Sequence, residues 1–293
     1  MNALHAALAD AIAAATGVPF TPRSTRSVHG GDISESFTLS DGARSFFVKT
    51  QPAARLDMFE AEAAGLAELA AANALRVPDV IAHGEAAGYA YLVLEALPLG
   101  GRGDAGELGR RLAQQHRVTA PRFGNARDNW IGSTPQPNGW LDDWIAFWRE
   151  RRLGFQLKLA ARNGYGGALQ RDGEALMARL EDFFAGYRPQ PSLLHGDLWG
   201  GNHGFLQNGT PVIFDPAVYF GDREGDLAMS ELFGGYPPAF YAGYTEAWPL
   251  DAGYATRKTL YNLYHVLNHA NLFGGGYAGQ AQRMIARLLA EVR

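Results

Sequence analysis

The sequence predicts an α+β fold in two lobes, a small β-rich N-lobe over residues 1–97 and a larger, mainly helical C-lobe over residues 98–293. Three observations predict it. The 293 residues exceed the ~150 typical of one domain. From Thr25 to Leu97 the chain reads as short apolar runs bounded by Gly, Asp and Pro, interrupted by one helix. After Pro98 a glycine-rich joint, LPLGGRGDAGEL, leads into helical periodicity that continues to the C-terminus.

Each element has its own signal. The spacing of Leu4, Leu8 and Ile12 predicts an amphipathic opening helix, and with Asp10 inside the apolar run and no Lys or Arg start it does not read as a secretory signal. Phe, Val, Ile and Tyr concentrate in Ser36–Leu39, Arg44–Lys49, Pro78–His83 and Tyr89–Leu94, four expected strands. Between the second and third, Asp57–Ala71 is built of strong helix formers. In the second lobe, helical patterns cover Glu107–His116, Trp140–Ala161, Glu174–Tyr187, Asp226–Leu232, Thr256–Asn271 and Gln280–Val292. Embedded among them is one short apolar and turn-rich stretch, Leu193–Asp215.

Composition narrows the function classes. A hydrophobic fraction of 47% and a net charge of −4 describe a globular chain with no basic excess, so nucleic acid is not an expected partner. With no cysteine, disulfides, thiolate nucleophiles and iron–sulfur clusters are excluded. No stretch approaches the ~20 apolar residues that span a bilayer, so we expect a soluble, cytoplasmic protein with no membrane partner, monomeric or homodimeric.

The chemistry concentrates in LLHGDLWGGNHGF, residues Leu193–Phe205, and in the segment Pro211–Asp226 that follows. Asp197 and Asn202 form D-x-x-x-x-N after His195, and Asp215 closes a Val-Ile-Phe run thirteen residues further on. Phosphoryl transfer needs this set: an Asp to accept the proton of the acceptor hydroxyl, and an Asn and a second Asp to hold magnesium against the nucleotide phosphates. An isolated Asp-x-x-x-x-Asn arises often by chance, and Asp or Asn beside glycine is ordinary turn chemistry. With His195, Trp199 and the strand before Asp215 in register, the constellation is far more specific than its parts.

A kinase also needs a strand lysine for the α/β-phosphates and a helical glutamate to hold it. Lys49 ends Ser-Phe-Phe-Val-Lys, and the next helix carries Glu60 and Glu62, of which Glu62 is preferred and Glu60 reads as a solvated neighbour. Gly30, Gly31, Asp32, Ile33 and Ser34, between two strands ahead of Lys49, suit a phosphate loop because glycine lets backbone N–H groups approach closely, although Gly-Gly is equally an ordinary hairpin turn. Glu95, Ala96 and Leu97, at the end of an apolar strand, lie where adenine would rest; a core strand followed by a linker fits as well.

These residues resemble the fructosamine kinases, or ketosamine kinases, of the protein-kinase-like group that includes aminoglycoside and choline kinases. The match spans nearly the full chain. It includes Gly30–Ser34, Phe47-Val48-Lys49, Met58–Glu62, Phe123-Gly124, the distinctive run Asp128–Asn138, Glu150–Leu153, Leu194–Asn202, Phe214–Ala217, Gly221–Met229 and Tyr264–His269. The resemblance implies a two-lobed protein-kinase-like fold and ATP- and Mg2+-dependent phosphorylation of the 3-hydroxyl of a ketosamine, free or protein-bound, followed by release of the amine. It also implies that Asp197 is the base, Asn202 and Asp215 are magnesium ligands, Lys49 and Glu62 grip the phosphates, and Trp199 and His269, with Asp197, meet the sugar. His29 stands where members often carry a third glycine, and the residue at Asp32 varies among them, which softens the nucleotide-loop assignment.

Two other readings are weighed. An aminoglycoside or amino-alcohol kinase would need carboxylates for a cationic acceptor, yet Ala252–Ala290 has no acidic residue. That region carries Tyr261, Asn262, Tyr264, His265, Asn268, His269, Asn271 and Tyr277, which are expected either to meet a polyhydroxylated ligand or simply to pack in the core. A nucleotide-binding pseudokinase is the alternative outside enzymes, and no catalytic position is missing to recommend it.

Overall fold

The computed structural model describes residues 3–28 and 34–292, so Gly30, Gly31, Asp32 and Ile33 of the expected phosphate loop lie outside the described residues. Two compact units divide the chain. Met1–Asp104 joins with Gly204–Pro216, and Ala105–His203 joins with Ala217–Arg293. The sequence places the boundary at Leu97 and does not anticipate that a later segment returns to the first unit.

The first unit opens with helix α1 (Ala3–Thr16) and strands β1 (Ser24–Ser27), β2 (Glu35–Ser40) and β3 (Ser45–Pro52). Helix α2 (Leu56–Ala71) precedes β4 (Val80–Ala86) and β5 (Tyr89–Glu95). The strands form one antiparallel sheet in the order β1-β2-β3-β5-β4. Successive side chains of a strand face opposite ways, and β3 uses both faces. Val48 packs with Leu8 and Ile12 of α1, while Lys49, register partner of Leu92 on β5, turns to α2. On α2 the buried residues Phe59, Leu66 and Leu69 share a stripe with position 62, so burying that stripe carries the Glu62 carboxylate inward.

The second unit begins with α3 (Ala105–His116) and the hairpin β6 (Asn129–Ile131) and β7 (Thr134–Gln136). The expected single helix over Trp140–Ala161 is instead a short α4 (Trp144–Phe147), a six-residue π-helix over Trp148–Leu153, and α5 (Gly154–Arg162). The wide π turn buries Trp148, Arg152 and Leu153 together. The helix expected over Glu174–Tyr187 starts earlier, as α6 (Ala168–Met177), and ends in a 3₁₀ turn over Leu180–Phe184. Strand β8 (Ser192–Leu194) follows; β9 (His203–Phe205) and β10 (Pro211–Ile213) then pair as a hairpin that, past its first residue, belongs to the first unit.

The chain re-enters the second unit with β11 (Tyr219–Gly221), antiparallel to β8, then α7 (Glu224–Leu232), α8 (Pro238–Ala247), α9 (Tyr254–Phe273) and α10 (Tyr277–Glu291). Helix α8 lies outside the helical patterns expected from the sequence. It packs on α3 at backbone range: a Cβ on Gly109 would meet the Phe240 carbonyl oxygen at 2.0 Å, and one on Gly243 the Gly106 oxygen at 2.2 Å. Among the described residues, no helix is long and apolar enough to cross a membrane.

The start of α7 buries Asp222, Arg223, Glu224 and Asp226 within five residues. Glu224 forms a two-pronged pair with Arg257 of α9, at 2.7 and 2.9 Å, with both side chains buried. Burial pushes the Glu224 carboxyl up to about 7 against the pull of the Arg257 guanidinium. Removing one partner of a buried pair leaves the other charge uncompensated. Arg257→Met is expected to lower unfolding free energy by about 3–5 kcal/mol, read from the urea midpoint at constant m-value.

Candidate active site

In the first unit the Lys49 ammonium lies between two carboxylates, 2.6 Å from Glu62 Oε1 and 2.6 Å from Asp215 Oδ1. Of the two acids that the sequence offers on α2, Glu62 carries the bond. Burial alone would drive Lys49 toward its neutral form, but Asp215 and Glu62 outweigh it and hold the amine well above its ordinary value. Glu62 is pushed up by its own burial, with Lys49 opposing. The Asp215 side chain is 44% exposed, leaving that end of the triad open.

Asp215 reaches Lys49 because the β9–β10 hairpin is stitched into the first unit. Ile213 N–H donates to the Arg76 carbonyl at 3.0 Å, and Gly101 N–H donates to that of Phe205 at 3.1 Å. Just beyond β10, Asp215 adopts φ +57°, a left-handed conformation that Asp tolerates better than most residues. Ser34, the described member of the expected phosphate loop, accepts a hydrogen bond from Gln51 at 3.1 Å. Glu95 pairs with Arg76 and accepts from Asp79 N–H, so its carboxylate serves the fold; Ala96 and Leu97 continue past β5 as irregular chain.

In the second unit, residues 195–202 form a loop held from beneath. Asp226 of α7 accepts from the backbone N–H of His195 at 2.7 Å and of Gly196 at 2.8 Å, one with each carboxylate oxygen. His116 of α3 adds Nε2 at 3.1 Å, and its Nδ1 meets the Tyr244 hydroxyl at 2.9 Å. Burial would raise the Asp226 pKa, but His116 and the loop hold it below the usual carboxylate value. Gly196 has φ +82°, and a Cβ there would strike the Ala217 carbonyl oxygen at 2.0 Å, so only glycine fits.

The next residue is Asp197. Its N–H donates to His195 Nδ1 at 3.2 Å, and Asn202 Nδ2 donates to its carbonyl at 2.9 Å and its Oδ2 at 3.3 Å. Asn202 is buried and Asp197 half-buried. Asp226 and His116 support the site although no local motif marks either of them. The visible signal was the density of acids in Gly221–Asp226, which a single chain offers without the α3 partner.

The α9 stripe divides into two groups, and for most of it core packing, one of the two expected outcomes, is what the structure shows. Tyr261 is buried against Asp222, Tyr264 against Gln136, and Asn268 against Gln156 and the Ile131 carbonyl. Asn262 and His265 are also buried, so all five are internal residues. The outward part is aromatic. Trp199 meets Phe233 edge-on at 6.5 Å, Phe233 lies 4.9 Å from the His269 ring, and His269 contacts Phe273 and Tyr277. Trp199, Phe233 and Phe273 are 36%, 36% and 51% exposed. His269 Nδ1 donates to the His265 carbonyl at 2.8 Å, which fixes its ring.

A five-stranded N-terminal sheet with a helix-clamped lysine, followed by a helical unit carrying the Asp197–Asn202 loop, is the architecture of kinase-like phosphotransferases. The structure of an aminoglycoside phosphotransferase mutant with AMP-PNP and hygromycin B superposes with a TM-score of 0.60 over 97% of this chain and 98% of that one, at 16% identity, a likeness of fold alone. The fructosamine kinase family profile matches residues 4–291. A Synechocystis sp. protein provisionally named ketoamine kinase slr1563 is 48% identical over 285 residues, 96% of each chain. The chloroplastic protein-ribulosamine 3-kinase of Arabidopsis thaliana is 45% identical over 264 residues, 88% of this chain and 80% of that one. A Haemophilus somnus 129PT structure provisionally designated a fructosamine-3-kinase superposes with a TM-score of 0.89 at 31% identity, covering 96% of each. The chain belongs to the fructosamine kinase family and is a phosphotransferase.

Two outcomes follow from this geometry. Asp226→Asn turns one acceptor oxygen into an N–H donor facing the loop's own N–H groups, and is expected to lower kcat by about 10²-fold through loss of loop geometry, read in steady-state assays of the folded variant. Burial drives His265 down to about 3 from its usual 6.5, with His269 adding to the effect. The folded protein refuses a proton that the unfolded chain accepts, so this contribution is complete above pH 6.5 and is lost as pH falls toward 3. Glu224, raised by burial, acts in the opposite sense, losing stability as pH rises through about 7. Comparison with His265→Gln isolates the first effect: between pH 8 and pH 5 the parent should lose roughly 2 kcal/mol more unfolding free energy than the variant.

Proposed function

We propose that this protein phosphorylates the 3-hydroxyl of ketosamines, free or protein-bound, from Mg-ATP, with Asp197 as general base. The observation that carries the reading is the Lys49 ammonium held between Glu62 and Asp215, in a chain that matches the fructosamine kinase family over residues 4–291. Lys49, fixed in its charged form by both acids, suits the α/β-phosphates of a nucleotide. Asp197 accepts the proton of the acceptor hydroxyl as that oxygen bonds to the γ-phosphorus and the bond to the β-phosphate oxygen breaks. The Asn202 amide, donating to the Asp197 carboxylate, orients it for that transfer.

The donor chemistry fits magnesium. Asn202 and Asp215 offer hard amide and carboxylate oxygens, and Mg2+ characteristically takes one or two protein oxygens and completes its shell with phosphate and water. Accordingly, an isolated cage is not needed, and none of three or more His, Asp or Glu occurs among the described residues. When bound, Mg2+ would neutralise charge developing on the transferred phosphoryl group. Trp199 and His269 would meet the sugar, the indole by stacking and the imidazole through a ring edge.

The test is a coupled assay of ATP use against fructosyl-lysine, ribulosyl-lysine and an aminoglycoside panel, with the phosphate position read by NMR. Turnover of a ketosamine with phosphate on O3 is expected; phosphorylation of kanamycin-like compounds alone would replace this reading with the aminoglycoside one. Asp197→Asn should lower kcat by about 10²–10⁴-fold with the fold intact by circular dichroism. Full activity in that variant removes Asp197 from the role of base.

A further inference from the structure

The run Asp128–Asn138 is the most distinctive stretch of the sequence that the proposed chemistry does not use. It contains the β6–β7 hairpin, with Gln136 and Asn138 buried and Asn129 half-buried. Gln136 is fully buried and all of its amide is engaged: Nε2 donates to Asn129 Oδ1 at 2.8 Å and to the Ala217 carbonyl at 3.2 Å, while Oε1 accepts from the Tyr264 hydroxyl at 2.6 Å. Asn129 Nδ2 donates to the next carbonyl, that of Val218, at 2.8 Å. Asn138 Nδ2 donates to Asn129 Oδ1 at 2.9 Å and is itself held by buried Arg152 at 2.7 Å.

The two captured carbonyls adjoin the Asp197 loop. Ala217 N–H donates to the His195 carbonyl at 2.8 Å, and the Ala217 carbonyl is the atom against which Gly196 is packed. On its other side the hairpin grips α9. Tyr264 reaches Gln136, and Asn268, the neighbour of His269, donates to the Ile131 carbonyl at 3.2 Å. One short hairpin is thus bonded both to the support of the Asp197 loop and to the turn of α9 that bears His269.

We propose that Asn129 and Gln136 are positioning residues for the acceptor: their amides fix the Asp197 loop relative to the α9 turn carrying His269, so that the hydroxyl is presented to the base. The proposal rests on the ketosamine reading for its substrate. Buried amides suit the task because each has one satisfied arrangement, and sliding either element strands a polar group without a partner. A displacement of ~1 Å at a reacting centre costs on the order of 10²-fold in rate.

The experiment uses the full chain with Gln136→Met, Tyr264→Phe and the gentler Asn129→Ser, beside Leu288→Ala in the α10 core as a stability control. Gln136→Met should lower kcat/KM for ribulosyl-lysine by about 10–100-fold while the Kd of a fluorescent ATP analogue stays within about 2-fold. Hydrogen exchange should quicken at both 195–198 and 265–271 in Gln136→Met, and at neither preferentially in Leu288→Ala. Should Gln136→Met fail to fold, the same pattern is expected at smaller amplitude in Tyr264→Phe and Asn129→Ser. Unchanged ketosamine kinetics, an equal loss of nucleotide affinity, or quickened exchange at only one segment would overturn the proposal. If the parent protein turns over no ketosamine, the functional reading fails, and the paired exchange still decides whether the hairpin couples the two elements.

Discussion

Four ionisable side chains buried within five residues, Asp222 to Asp226, impose the constraint on which the second unit depends. Water cannot solvate them, so each must find its partners in the protein. Asp222 takes the hydroxyls of Tyr187 and Tyr261. Arg223 reaches the Tyr244 hydroxyl and the carbonyls of Trp248 and Pro249. Glu224 takes Arg257, and Asp226 takes His116 and two backbone N–H groups of the loop. Helices α3, α8 and α9 thereby converge on the start of α7, and the 195–196 backbone hangs from it. The apolar core around Trp148, Tyr261 and Leu267 fills the remaining space, but non-directional burial could not select one loop conformation.

The first unit solves a smaller problem of the same kind. There a single ammonium is buried, and its two acids come from places far apart in sequence, Glu62 on the helix after β3 and Asp215 on a hairpin that returns much later. Both acids offset the burial that would otherwise disfavour the Lys49 charge. The left-handed Asp215 is tolerable because this pairing and the stitches to Arg76 and Gly101 hold the surrounding backbone.

Much of this was legible in the sequence where periodicity and local chemistry coincide. The strands flanking Lys49 follow from runs of Phe, Val and Tyr between turn residues and α2 from its strong helix formers, and the preferred Glu62 is the acid that bonds Lys49. Helix α8 escaped because Tyr, Gly and Ala give it little amphipathic contrast; the one local signal was Pro237-Pro238, with proline favoured in a first helical turn. The interruption over Trp148–Leu153 was invisible for another reason: apolar and charged residues there fit a regular helix equally well, and only the burial of Arg152 among Phe147, Tyr219 and Tyr264 distinguishes the π turn. Partners such as His116 for Asp226 lie 110 residues apart and carry no local pattern.

The acid-free stretch from Ala252 to Ala290 keeps its significance with a different set of side chains. Read along the sequence, its tyrosines, histidines and asparagines fit either a hydroxyl-binding lining or the core, and α9 turns Tyr261, Tyr264, His265 and Asn268 into the core, where Tyr261 binds Asp222, Tyr264 binds Gln136 and Asn268 binds Gln156. What remains outward is His269 among the rings of Phe233, Phe273 and Tyr277, with Trp199 beyond. Aromatic faces attract the C–H face of a sugar and a histidine edge can meet its hydroxyls, whereas a polycation held mainly by salt links would require carboxylates. Helix α9, which presents His269 and Phe273 to this cluster, carries no acidic residue, so no carboxylate on that helix is available for such salt links.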